Sequence, residues 1–334
     1  MQRNDRHIAP RLLERYLAEE CASAQGRRAD ILRTGPLLPR LIAWLVFLCV
    51  CGTPLSPSGA ADSPEVPFRV GFGSSMFTDV NENDAKAAVK VWGALIAKEQ
   101  NVPTDPDPVI FKDMNAMFRS LADKQVDAVG LTTTEYAQLY QKIGFAPIFV
   151  TYSAGRVTEQ YVLLAHRDGP VKDLADLDGR SLYLHTQSRA CLAPLWLDTL
   201  LIKKGHPAAS RFTSRIVPNT QLSKVVLPVF FQKADACVVT RSGFDTMCEL
   251  NPQLARQLVV LAESSPMVPA VFAFRADYQP IFRQALIDGL NDLKKTPAGR
   301  QVLTIFHSED IEEQSEDCLG TALQLIATHE QLKR

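Results

Sequence analysis

The sequence carries almost no net charge. Its 36 basic and 37 acidic residues leave −1 at neutral pH. A chain without a field of one sign has nothing to attract a polyanion, which excludes general nucleic-acid binding. The seven cysteines never fall in CxxC spacing, so a structural zinc site is not expected. There is no Walker loop, no nucleophile elbow and no HExxH, so no standard catalytic or metal constellation is present and no cofactor is expected. Internal repeats, low-complexity tracts and a Pro/Gly/Ser-rich linker are also lacking. With 46% hydrophobic and 22% charged residues the chain is globular rather than disordered or coiled-coil. Its mean hydropathy of −0.04 excludes a polytopic membrane protein.

One apolar run stands out. Leu41 to Cys51 reads LIAWLVFLCVC, eleven residues without a charge. Arg27, Arg28, Arg33 and Arg40 precede it, and the small, turn-prone GTPLSPSGAAD follows. Basic flank, short apolar segment and small residues are the order of a secretory signal. Cleavage is expected after Ala60 or Ala61, with Ser58 or Gly59 at −3. The run falls short of the roughly 20 residues of a membrane span, although an uncleaved anchor is the alternative. The first 61 residues hold eight Arg, no Lys and five acids, or +3, which leaves −4 for the body. The 40 residues ahead of the run are long for such a leader. RLLERYLAEE (Arg11–Glu20) reads either as a weak amphipathic helix or as the product of a start chosen too far upstream.

Length leaves room for about two domains. From Pro67 the body alternates strands and helices. FRVGF is a strand. DAKAAVKVWGALIAKE places Ala85, Ala88, Trp92, Leu95 and Ile96 on one helical stripe. VIF, VDAVGL and FAPIFVTY are strands separated by helices at MNAMFRSLADK and after Thr132. A second series follows: QYVLLAH, RSLYL, RFTSRIV, ADACVVT, LVVLAES and VPAVFAF as strands, with a helix at CLAPLWLDTLLIKKG, a proline-bearing one at QLSKVVLPVFFQK, and SGFDTMCEL. The tail from Asp277 reads as helical. Such alternation implies sheets covered by helices on both faces. Crossings between the two units are expected near 152–160 and 239–243. Cys191, Cys237, Cys248 and Cys318 lie in the body, either as small buried hydrophobes or with one disulfide, for which Cys237 and Cys248 are nearest in sequence.

FRVGFGSSMF, VDAVGLTTTEY, YVLLAHRDGPVKDLADLDGRSLYL and FFQKADACVVTRSGFDTM, in that order, resemble the periplasmic phosphate/phosphite/phosphonate-binding proteins of ABC importers over about residues 68–306. The resemblance implies an α/β, two-lobed type II periplasmic binding protein. Each lobe would be a mixed sheet flanked by helices, joined by a two-strand hinge, with residues 1–61 as leader, 68–157 plus 261–334 as lobe one and 158–260 as lobe two. It implies capture of a small phosphorus oxyanion or related anion in the periplasm, an ABC permease as partner, a monomeric state, and no membrane contact beyond the leader. A ligand-sensing module for a sensor kinase is the alternative role.

Helix N-termini at strand ends favour anions. The expected ligand-binding residues on that ground are Ser74 and Ser75; Thr132, Thr133 and Thr134; and Thr186, Gln187, Ser188 and Arg189. The resemblance adds Tyr136, at the position of a ligand-contacting tyrosine, and Thr240 and Arg241, at the return crossover where family members place a ligand contact. Arg189 would supply a charged fork for an oxyanion. Each has a plainer reading: a turn for the serines, a helix cap for the threonines, a solvated charge for Arg189, core packing for Tyr136. The sequence departs from the family at Met114, where an aromatic residue is usual, and at Gln221-Leu222, where a His is usual. An enzyme on the same fold would use Cys191 as nucleophile, activated at a helix N-terminus with His185 six residues away.

Overall fold

The computed structural model describes residues 67–333, except Asp79 and Pro106. The apolar run and its flanks lie outside these residues. Among the described residues no helix is long and apolar enough to cross a membrane.

Among the described residues the first elements are β1 (Val70–Gly73), buried throughout, and a short 3-10 helix, Ser74–Phe77. Asn81 then caps α1 (Glu82–Gln100), its side chain accepting from the Asn83 amide at 2.8 Å. The helix buries Ala85, Ala88, Val89, Trp92 and Ile96, which is the expected stripe with Val89 in place of half-buried Leu95. Next come β2 (Val109–Phe111), α2 (Met114–Ala122), β3 (Ala128–Thr132), α3 (Thr133–Leu139) and β4 (Phe145–Tyr152).

The chain then crosses to a second sheet. Its elements are β5 (Tyr161–His166), β6 (Ser181–His185), α4 (Ala193–Lys203), α5 (Ala209–Phe212), β7 (Arg215–Asn219), α6 (Leu222–Phe230), β8 (Ala236–Thr240), α7 (Arg241–Leu250), α8 (Pro252–Gln257) and β9 (Leu258–Glu263). It returns through β10 (Ala270–Arg275), α9 (Arg283–Asn291), α10 (Pro297–Ile305), β11 (Asp310–Gln314) and α11 (Gly320–Leu332).

One sheet has the order β11-β4-β10-β3-β1-β2, the other β7-β6-β8-β5-β9. Both are mixed: β1 lies parallel to β2 and β3, and β6 to β7 and β8, while β10 and β5 run antiparallel to their neighbours. Each sheet has a hydrophobic cluster on both faces, as strands buried on two sides require. This is a two-lobed α/β architecture. Two extended segments join the lobes, and they pair with each other: Glu159 and Met267 exchange backbone hydrogen bonds of 2.7 and 2.9 Å.

Three expectations need correction. The return crossing is 264–269, whereas 239–243 is the turn from β8 into α7 inside the second lobe. β9 stays in the second sheet through Glu263, past the expected division at 260. The tail is not all helix, because β11 pairs with β4 at the sheet edge. α11 also serves both lobes. Leu319 just before it and Leu323 join the first lobe's core, and Ala322, Leu325 and Ile326 the second's. No disulfide forms among the described residues, and Cys191, Cys237, Cys248 and Cys318 are free.

Candidate functional site

α3 begins at the carboxyl end of β3 with a capping box. Glu135 Oε2 accepts from the Thr132 amide and from Thr132 Oγ1, both at 2.9 Å, and the Glu135 amide donates to Thr132 Oγ1 at 3.4 Å. Thr132 Oγ1 also lies 3.0 Å from Thr134 Oγ1. Ser75 Oγ donates to Glu135 Oε1 at 2.6 Å. The carboxylate lies flat against Gly73, where an added Cβ would come within 2.5 Å of Oε1. Ser75, Thr132 and Thr134 are thus gathered at one helix N-terminus, around an internal carboxylate that occupies part of its anion-attracting surface. Thr133 is used differently. It is fully buried, its Oγ1 donates to the Val268 carbonyl at 2.6 Å and its amide to the Pro269 carbonyl at 2.8 Å. Ser74 is half-buried beside Ser75.

Across from this terminus stands the turn after β6. The Thr186 amide donates to the Asn219 carbonyl at 3.0 Å, and half-buried Gln187 precedes a 3-10 turn, Ser188–Ala190. The two lobes meet here. The Cys191 thiol donates to the Pro269 carbonyl at 3.2 Å and faces the Thr134 and Thr133 amides. Tyr161, fully buried, donates its hydroxyl to the Arg189 carbonyl at 3.0 Å.

Arg189 is not a solvated charge: its side chain is 13% exposed. Nε lies 3.5 Å from Glu159 Oε2 as an ion pair, and both Nε and Nη2 are buried without a hydrogen-bond partner. Glu159, 4% exposed, also accepts from Ser242 Oγ at 2.6 Å and from the Ser242 amide at 3.3 Å, at the N-terminus of α7. Both helix N-termini therefore hold a carboxylate of the chain itself. Arg189, Glu135 and Glu159 together carry one negative charge when all are ionised.

Ser188 and Arg189 line a cavity of about 70 Å³ together with Phe72, Met76, Trp92, Phe272 and Phe306 of the first lobe. Gly130 lies on its wall. An added Cβ there would run into the Phe72 ring, with Cε1 at 2.7 Å, so this close approach requires glycine.

Three expected contacts are not in this cluster. Tyr136 is a core residue, 1% exposed, packed on Tyr140 and Phe145, with its hydroxyl donating to Glu316 at 3.0 Å. Burial, then the Glu316 partner, push its pKa up. Thr240 is the buried N-cap of α7, accepting from the Gly243 amide at 3.3 Å. Arg241 is paired with Asp245 and Glu263, both at 2.9 Å. Cys191 does not have an activated thiol. Burial pushes it up to about 12, against the downward pull of the Thr134 and Thr133 amides. His185 points its Nε2 at the Thr220 carbonyl, 3.2 Å away.

The model of the family described as "ABC transporter, phosphonate, periplasmic substrate-binding protein" matches residues 75–318. The chain belongs to that family. Its members are periplasmic and bind small ligands for ABC transporters, and both statements extend to this member. Solved structures agree on the fold at low identity. XAC2383 from Xanthomonas citri, determined bound to ATP, is 18% identical with a TM-score of 0.59, covering 80% of this chain and 98% of its own. The binding component of an ABC phosphonate transporter from Pseudomonas aeruginosa is 14% identical, with a TM-score of 0.55 and coverage of 80% and 88%. PhnD1 from Prochlorococcus marinus, in complex with methylphosphonate, is 12% identical, with a TM-score of 0.53 and coverage of 80% and 98%. A comparison with curated proteins finds no match. These likenesses identify the architecture as the type II periplasmic binding fold.

The family's hydroxyl-rich turns were visible as sequence. The two carboxylates were not. Glu135 had a signal in the T-x-x-E spacing of a capping box. Glu159 had none, because it meets Arg189 and Ser242 only through the crossing of the chain.

Proposed function

We propose that this protein captures an organophosphonate or closely related phosphorus oxyanion for an ABC permease, with the anionic head held between the Ser188–Arg189 turn and the N-terminus of α3. The observation that carries the reading is Arg189 Nη2, a buried cationic donor without a partner at the point where the lobes meet. Leaving such a donor unmade costs free energy that an oxyanion would recover. Ser188, Thr186 and Gln187 on one side and Ser74 on the other supply adaptable donors, whereas the Ser75 and Thr132 hydroxyls, already donated to Glu135, would reach an anion only by leaving that carboxylate. Binding and transport suffice without catalysis, and the raised thiol pKa of Cys191 is unfavourable for a nucleophile. Export through the leader, with cleavage near Ala61, would deliver a monomer to the periplasm.

Calorimetry against methylphosphonate, phosphite, phosphate, sulfate and a neutral sugar tests the class. A charge-assisted hydrogen bond contributes about 1.5–3 kcal/mol, so Arg189→Ala should weaken phosphonate binding about 10- to 150-fold. Binding of the sugar alone would refute the oxyanion class. Oxyanion binding indifferent to Arg189→Ala would refute this placement of the head.

A further inference from the structure

The cavity behind Arg189 says what should be attached to the head. It is walled by hydrocarbon and aromatic rings, chiefly Phe72, Phe272, Phe306 and Trp92, and no carboxylate lines it. Three polar side chains line it, Thr151 of β4 and Ser188 and Arg189 from the second lobe. One water needs about 10–15 Å³ of such space, so a volume of about 70 Å³ has room for roughly five water-sized bodies. Water there would find few partners, and an empty apolar cavity forfeits the dispersion contacts of its walls. The buried Arg189 guanidinium and the largely apolar chamber beside it form one amphiphilic site.

We infer that the ligand is an organophosphonate whose carbon substituent is itself apolar, a short alkyl or aryl group lodged in the Phe72–Phe306 cavity, rather than an aminoalkyl phosphonate or an inorganic oxyanion. The inference rests on the proposed phosphonate-head reading and deepens it. A substituent ending in an ammonium would lose its hydration where no carboxylate is present to pair with it, and the attraction of the ring faces for a cation recovers only part of that loss. A methylene entering the same space gains about fourfold in affinity. The gain should run until the chamber is full and then stop.

The test is calorimetry on the full-length chain with methyl-, ethyl-, n-propyl-, n-butyl-, n-octyl- and phenylphosphonate, 2-aminoethylphosphonate and inorganic phosphate, alongside n-butanesulfonate and pentanoate. Affinity should rise about fourfold per carbon to butyl, level off before octyl, and be at least tenfold weaker for aminoethyl than for n-propyl. Val302→Phe, which fills the chamber, should flatten the chain-length slope. Met76→Phe, at the half-buried rim, does the same if the first variant does not fold. Tightest binding of methyl- or aminoethylphosphonate, or a slope untouched by either variant, overturns the apolar substituent and leaves the phosphonate head standing. If no phosphonate binds but butanesulfonate and pentanoate do, the phosphonate head falls and the apolar chamber stands. Binding of none of the probes overturns both.

Discussion

Removing an acid from this site should tighten its grip on an anion. Glu159 is the acid to remove. It is almost fully buried, holds Arg189 Nε at 3.5 Å and accepts from Ser242 at the start of α7. An anion meeting Nη2 while Glu159 remains on Nε would sit on the other edge of the same guanidinium, roughly 5–6 Å from that carboxylate. At an effective dielectric of about 20, two unit charges at that separation repel by about 3 kcal/mol, or about 100-fold in affinity. Water entering the open side of the cleft reduces this, so Glu159→Gln should strengthen methylphosphonate binding by about 10- to 100-fold. The amide keeps an acceptor for Ser242. It gives up the buried ion pair, so the unliganded variant should be less stable by about 1–3 kcal/mol in urea. Calorimetry at low and high salt reads the first effect, and the gain should persist at high salt because the pair is buried. Weaker binding in Glu159→Gln would sink the reasoning, since it would make Glu159 a direct partner of the ligand rather than its competitor.

Three further outcomes are expected. Gly130→Ala should cost about 1–3 kcal/mol by pushing the Phe72 ring off its seat, measured as a lowered urea midpoint with unchanged slope. Tyr136→Phe should leave phosphonate affinity unchanged and lower stability by about 0.5–1.5 kcal/mol through loss of the Glu316 hydrogen bond; an affinity loss above threefold would return Tyr136 to the ligand site. Alkylation of Cys191, followed on its own peptide, should still be accelerating with pH at pH 10, because burial favours the neutral thiol. A plateau near pH 8.5 would show an exposed, ordinary cysteine.

Much of the architecture was legible because it rests on periodicity. The α1 stripe and the buried runs VDAVGL and YVLLAH declare their partners through hydrophobic pattern alone. β11 was not, since Ile311 is the only buried residue of DIEEQ, and an acidic edge strand shows no alternation to read. The 264–269 crossing carries no signature of its own either. Within the candidate site, the threonines and serines announced themselves as cap-forming residues, and Arg189 as a cation in their company. What the sequence could not show is which charges are already spoken for. Arg241 is engaged by Asp245 one turn away and by Glu263 on another strand, and Arg189 by Glu159, thirty residues earlier. The i,i+4 spacing of the first pair was available as a warning; the others are facts of tertiary placement. Tyr136 illustrates the same limit, because a helical tyrosine four residues past a cap serves a core or a cleft equally well until its neighbours are known.

The position of α11 bears on how far the cleft can open. Its two apolar edges are seated in different lobes, and His329 on its last turn lies 3.5 Å from Asp198 of α4. The helix is therefore a wedge with both flanks engaged, and a wide gape would have to pull one flank free and wet the leucines and isoleucine beneath it. At about 25 cal/mol for each Å² of apolar surface exposed, that resistance grows with the angle instead of vanishing once the cleft contacts part. For a cleft that pivots on the paired strands, α11 would therefore serve as a stop that works against opening even with nothing between the jaws.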